Sequence, residues 1–184
     1  ELAISDVVGI VPLPAGEAVV YFGNTSEVPL FVTLEWEGIP KRDDLAPVQQ
    51  GLALRTGYFN AAGEPVDISR LRQGDSFYMV FRVAQEDWEY IDEVALVQIL
   101  PAGWEIENPR LSTEGLPDWA MEYFLGLEDY VDIRDDRIMW FFDKAPYYSY
   151  DFMVKINAVT VGKFYLPPTL LEAMYNNDYK VVTR

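Results

Sequence analysis

Apolar residues in this chain recur at every second position, in short blocks separated by Gly, Pro, Asn and Asp. Period two is the signature of a half-buried strand, because successive side chains leave the backbone on opposite faces. In LFVTLEWEG, Leu30, Val32, Leu34 and Trp36 share one face, and Phe31, Thr33, Glu35 and Glu37 share the other. AVVYF at 18–22 supplies a partner strand, and Gly23-Asn24-Thr25-Ser26-Glu27 supplies turn chemistry, so a hairpin is expected. Further strands are expected at 52–59, 76–84, 93–100, 137–142, 147–160 and 179–183, with turns at 60–63, 73–75, 101–103 and 161–162. Helical spacing occurs only over 117–126, with Pro117 near its start, Gly126 at its end, and Trp119, Tyr123, Phe124 and Leu127 along one side. Strands without alternating helices predict an all-β antiparallel sandwich of about seven strands with at most one or two short helices.

The stretch 40–47 combines Pro40 and Pro47 with Lys41, Arg42, Asp43 and Asp44 and has no apolar period. It reads as a linker, dividing the chain into 1–47 and 48–184. LPAGWEIENP (100–109) reads as strand, turn and return strand, one corner of a sandwich. Val161-Gly162 would turn Phe164 and Leu166 onto one face, and Pro167-Pro168 must lie at an edge or end a strand. TLLEAMYNNDY (169–179) reads as a surface-lying segment ahead of the final strand.

Composition narrows the chemistry. The chain has 184 residues with 14 Lys and Arg against 30 Asp and Glu, a net charge of 14 − 30 = −16. Such a surface repels nucleic-acid phosphates and anionic lipid, so neither is an expected partner. Neither Cys nor His is present, which removes thiol nucleophiles, disulfides, imidazole bases and Cys/His zinc sites. Hydrophobic residues at 50% separate it from acidic disordered tails. No apolar run is long enough to span a bilayer, so no direct membrane insertion is expected of this segment. The first residue is Glu1 with no basic leader, as expected of a processed chain or an excised fragment.

The densest carboxylate cluster runs from Glu128 through Asp129, Asp132, Asp135 and Asp136, interleaved with Arg134 and Arg137. An exposed turn with local ion pairs, leading into the strand at Ile138, is the plain reading. An acid/base pair for glycoside hydrolysis and a calcium site are the alternatives, although DIRDDR lacks the spacing and central Gly of an EF-hand loop. Trp36, Trp88, Trp104, Trp119 and Trp140, with Tyr147, Tyr148 and Tyr150, could form a sugar-stacking platform. Alternation in RIMWFF and YYSYDFM instead sends at least half of those rings inward. Asn24-Thr25-Ser26 fits a glycosylation acceptor and fits a turn equally well. No G-x-S-x-G, S-x-x-K or phosphate-binding Gly-rich motif occurs.

Several strings in order carry a family likeness. GLALRTGYF (51–59), GEPVD (63–67), LRQGD (71–75), LPAGWEIENP (100–109), RDDR (134–137), GKFYLPP (162–168) and EAMY (172–175) resemble the last macroglobulin-like domain of bacterial alpha-2-macroglobulins. VTLEWEGIP at 32–40 resembles the end of the neighbouring CUB-like β-domain. The resemblance implies a macroglobulin-like (Ig/fibronectin-like) sandwich over 48–184, preceded by a partial CUB-like β-hairpin and linker in 1–47.

It also implies a part in a larger protease trap, in which bait cleavage triggers rearrangement and an internal Cys-Gln thioester captures the attacker. Without Cys, this chain cannot carry that bond. The implied task is non-enzymatic and needs no cofactor or metal. It is to pack on the thioester domain, exclude water from the bond, and move on bait cleavage. Implied partners are the thioester and CUB-like domains of the parent, and target proteases through it, in a periplasmic or cell-surface location. By position in EAMY, Met174 is the implied shielding contact, with Tyr175 and Tyr179 beside it; the chain departs from some relatives in having Tyr179 where a Trp can occur. Ordinary packing of these residues within their own domain is the alternative, and an extracellular carbohydrate-binding or adhesion sandwich is the alternative for the whole chain.

Overall fold

The computed structural model describes residues 21, 23–29, 31–33, 46–107 and 115–183. The chain divides into two compact units, Glu1–Ile39 and Pro40–Arg184. In the first, Asn24 closes a local turn: its Nδ2 donates to the Val28 carbonyl at 2.8 Å, and its Oδ1 accepts from Ser26 N at 3.0 Å. Residues 18–20, 22, 30 and 34–36 of the expected hairpin lie outside the described residues, as do 40–45 of the linker. Residues 31–33 are described and belong to no strand.

The second unit is all-β among its described residues, with two sheets. β1 (Val48–Gln50), β10 (Asn176–Val182), β9 (Thr169–Ala173), β4 (Ile91–Ile99), β7 (Arg137–Lys144) and β6 (Tyr130–Arg134) form a six-stranded sheet in that order. β2 (Leu52–Phe59), β3 (Ser76–Gln85), β8 (Tyr150–Ala158) and β5 (Trp104–Ile106) form a four-stranded one. Every pairing is antiparallel.

Alternation builds the core. Ile138, Trp140, Phe142 and Lys144 of β7 point inward, opposite Tyr150, Phe152, Val154 and Ile156 of β8. Their rings interlock across the layers: Phe81 to Trp140 at 5.4 Å, Trp140 to Phe152 at 5.6 Å, Phe142 to Phe152 at 4.6 Å. Each fully buried Leu or Phe contributes about 1.5–3 kcal/mol relative to exposure. The Pro101-Ala102-Gly103 corner carries the chain between sheets as its sequence suggests, with Trp104 N donating back to the Pro101 carbonyl at 3.0 Å.

Four sequence expectations are corrected. Residues 169–179 are not a surface segment: β9 is an interior strand between β10 and β4, with Leu171 fully buried. Helix-forming Leu, Glu, Ala and Met disguise its short alternation, in which Thr169, Leu171 and Ala173 face inward. The acidic stretch is not merely a turn, since β6 runs through it and pairs with β7, bringing the total among the described residues to ten strands. Of 117–126 only Asp118–Glu122 is helical, as a 3-10 turn. Its aromatics serve the four-stranded sheet instead, Trp119 packing edge-on against Tyr78 at 5.6 Å and tilted against Phe59 at 5.5 Å. Residues 161–168 form no strand; Phe164 folds over Gly103 and Gly162, where added Cβ atoms would come within 2.4 and 2.7 Å of its ring.

The 117–124 excursion is fastened by one buried carboxylate. Asp151 takes Arg82 Nε at 2.7 Å and Nη2 at 3.0 Å, and its Oδ2 accepts the Phe124 N–H at 3.0 Å. Arg82 in turn lies over the Tyr123 ring at 5.4 Å. β3 is thereby covered on both faces, which explains its nearly unbroken burial.

Candidate functional site

One end of the sandwich collects the β3–β4 loop, residues 145–149 between β7 and β8, and the β9–β10 hairpin. The tip of that hairpin is Met174-Tyr175, because Ala173 pairs with Asn176. Both side chains stand in solvent, Tyr175 at 87% exposure and Met174 at 40%.

The tip is braced from β4. One extra residue bulges β4 between Ile91 and Val94, and Glu93 there adopts φ 54°, a left-handed conformation a non-glycine residue enters rarely. Its carbonyl accepts the Met174 N–H at 2.9 Å, and its N–H donates to Asp143 Oδ1 at 2.9 Å. The Tyr90 hydroxyl donates to Asp143 Oδ2 at 3.0 Å, a bond that raises the phenol above its ordinary pKa. Tyr90, Asp143, Glu93 and Met174 are thus links of one chain of hydrogen bonds.

Tyr179 is placed differently. Strand pairing slips between Asn176 and Lys180, and this irregularity turns Tyr179 into the core. Its hydroxyl donates to Asp87 Oδ2 at 2.8 Å, with Glu89 Oε2 at 3.3 Å. The bond holds the Asp87 carboxyl below its usual range and pushes the phenol far above its own. Met174 and Tyr175 are therefore brought together and exposed, while Tyr179 ties β10 to the β3–β4 loop.

Sequence reasoning missed Lys144 at this end, a fully buried side chain of β7. Its Nζ donates to Gln85 Oε1 at 3.0 Å, Ala145 O at 2.5 Å and Tyr148 O at 2.7 Å, and lies 4.8 Å from the Tyr150 ring centre. Burial pushes its pKa down to about 8. The strict inward phase of RIMWFFDK was the available signal, since Lys144 continues Ile138, Trp140 and Phe142.

The other sequence candidates do not assemble into a reactive centre among the described residues. Asp132 pairs with Arg134 at 2.8 Å and Asp136 with Arg137 at 2.7 Å, as a locally paired acidic stretch should. No group of three or more carboxylates among the described residues could hold a metal ion. Trp104 and Trp140 are core residues, Trp119 is half-buried, and Trp88 is exposed in a loop, so these four share no sheet face; Trp36 lies outside the described residues. No helix among the described residues is long and apolar enough to cross a membrane.

Known proteins bear on this arrangement. The family model described as the bacterial alpha-2-macroglobulin MG10 domain matches residues 51–178. An alpha-2-macroglobulin of Xylella fastidiosa (strain Temecula1) is 30% identical over 166 residues, 85% of this chain and 10% of that protein. One from Pasteurella multocida is 26% identical over 159 residues, 86% of this chain and 8% of that protein. The native E. coli alpha-2-macroglobulin seen by cryo-electron microscopy superposes with a TM-score of 0.68 at 20% identity, covering 78% of this chain and 9% of that one. The chain spans about a tenth of the length of these relatives.

Proposed function

The chain belongs to the bacterial alpha-2-macroglobulin family, as its MG10 domain, and from that premise we propose that it is a non-catalytic cover domain of a protease-trapping inhibitor. In this reading residues 48–184 are the C-terminal macroglobulin-like domain and 1–47 are the end of a CUB-like domain with its linker. The parent works in the periplasm or at the cell surface. Met174 and Tyr175 press on a thioester carried by another domain and exclude water from it, and cleavage of the bait region draws the cover away.

The observation that carries this reading is the hairpin tip itself. Two large side chains are left in solvent at the point where the Met174 N–H is anchored on the Glu93 carbonyl. A shield must be both stiff enough to position its cover and free of internal partners for that cover. Met supplies an adaptable contact and Tyr a large flat one. Tyr179 acts in support, holding β10 in place through Asp87.

The test is Met174→Ala and Tyr175→Ala in the full-length parent, following amine incorporation before any protease is added. Faster incorporation with an unchanged melting temperature is expected, since neither side chain belongs to the core. An incorporation rate equal to wild type would refute the cover.

A further inference from the structure

The same end of the sandwich holds a cleft whose exposed aromatic wall the cover reading does not use. It lies between the β3–β4 loop and residues 145–149, with a volume of about 190 Å³. Trp88 and Tyr147 stand on its wall with ring centres 4.1 Å apart, 69% and 70% exposed, and Tyr148 lines it beside them. A cavity of roughly 150 Å³ already accommodates a benzene-sized guest, so the space suits one planar side-chain head.

The rings are fixed rather than loosely displayed. Lys144 gathers Gln85 and the carbonyls of Ala145 and Tyr148 around its ammonium, and Ala145 N donates to the Tyr150 hydroxyl at 3.1 Å. Within that small loop Tyr147 is held at φ 73°. A bulky residue stays in this region only where its surroundings impose it. The imposed conformation goes with a ring directed at Trp88 and left in water.

Charge selects the guest. Glu86 and Asp87 line the cleft and Glu89 stands beside Asp87 at the Tyr179 hydroxyl, three carboxylates against the Lys144 ammonium behind the wall. The chain as a whole carries −16. An anion is repelled, and a neutral sugar would stack and donate hydroxyl hydrogen bonds to the carboxylates but brings no charge for them to attract. Guanidinium gains from both, being planar, weakly hydrated and always charged. We propose that this cleft receives a single arginine side chain presented by a partner protein surface, stacked on Trp88 and flanked by the tilted Tyr147 ring, with its N–H groups toward Glu86 and Asp87. The assignment stands on the cleft's own chemistry and does not depend on what Met174 covers.

The test uses the 184-residue chain, a blocked Gly-Arg-Gly peptide, and the same peptide with citrulline, which keeps the shape and removes the charge. The Trp88 indole N–H resonance is followed through each titration at low salt. Saturable shifts with the arginine peptide, about two- to fivefold weaker with citrulline, are expected from the loss of one exposed cation–π contact. Trp88→Ala, read through the backbone amides of Glu86 and Asp87 in the cleft wall, should abolish binding, and Glu86→Gln should weaken it by a few-fold, with the Trp104 and Trp140 indole signals reporting an intact core. Equal shifts with both peptides, no saturable shift at Trp88, or discrimination surviving both substitutions would overturn the assignment.

Discussion

Lys144 offers the sharpest quantitative test of the packing. Its ammonium is fully buried and receives only neutral acceptors in the bonds described: one amide oxygen and two carbonyls. Burial lowers its pKa from 10.5 to about 8. At about 1.4 kcal/mol per decade, that fall corresponds to about 3 kcal/mol against the charged form in the folded state. Below pH 8 both folded and unfolded chains carry the proton, and the full penalty applies. Between pH 8 and 10.5 the folded chain sheds the proton while the unfolded chain keeps it, so stability rises with pH. Integrated from pH 7.5 to 9.5, the gain is about 2 kcal/mol. Other groups act the opposite way at higher pH: Tyr58, raised by burial, and Tyr179, raised mainly by its bond to Asp87, keep their protons longer when folded. The difference between wild type and Lys144→Met isolates the one residue. Urea unfolding followed by the fluorescence of buried Trp104 and Trp140 measures it at each pH. The level of the variant at neutral pH is a contest between the removed penalty and three stranded acceptors, each costing about 1–3 kcal/mol. The slope is free of that contest. Curves for wild type and variant that run parallel from pH 7.5 to 9.5 would refute the burial argument.

Two further substitutions probe the fold. Leu171→Ala in β9 should cost about 2–5 kcal/mol by chemical denaturation, matching Leu96→Ala in β4, because both side chains are fully buried; a loss below about 0.5 kcal/mol would return this segment to the surface. Gly51→Ala should cost at least about 1–2 kcal/mol, since Gly51 sits at φ 64° and an added Cβ would stand 2.5 Å from Tyr179 Cδ1 and 2.9 Å from Asp178 O. The same substitution should displace the Tyr179 hydroxyl from Asp87, which a return of the carboxyl toward its ordinary pKa in an NMR titration would reveal.

Much of the architecture could be read along the chain because a strand with one buried face writes its orientation locally. LALRTGYF and SFYMVFRVA lie almost wholly within β2 and β3, and RIMWFF within β7. The corner at Pro101-Ala102-Gly103 was equally plain, since turn chemistry acts over a few residues. Absent Cys and His removed whole classes of chemistry without any structure. What resisted reading was whatever depends on a distant neighbour. β9 is a strand because β4 and β10 flank it with open hydrogen-bonding edges, and its own residues lean toward helix. Trp119 and Tyr123 look like one face of a helix until the sheet beneath offers Tyr78 and Arg82 as better partners.

The candidate site divides along the same line. Met174 and Tyr175 were expected contacts from their place in EAMY, and the structure puts both at the exposed tip of the β9–β10 hairpin. The Glu93 bulge that braces them, the inward turn of Tyr179 and the loop wound around Lys144 come from segments far apart in sequence. Hydrophobic periodicity is a one-dimensional signal carried by each strand alone. Desolvation of an ammonium, backbone held at positive φ and rings gathered at one rim are properties of juxtaposed loops, and they exist only once the two sheets have closed on each other.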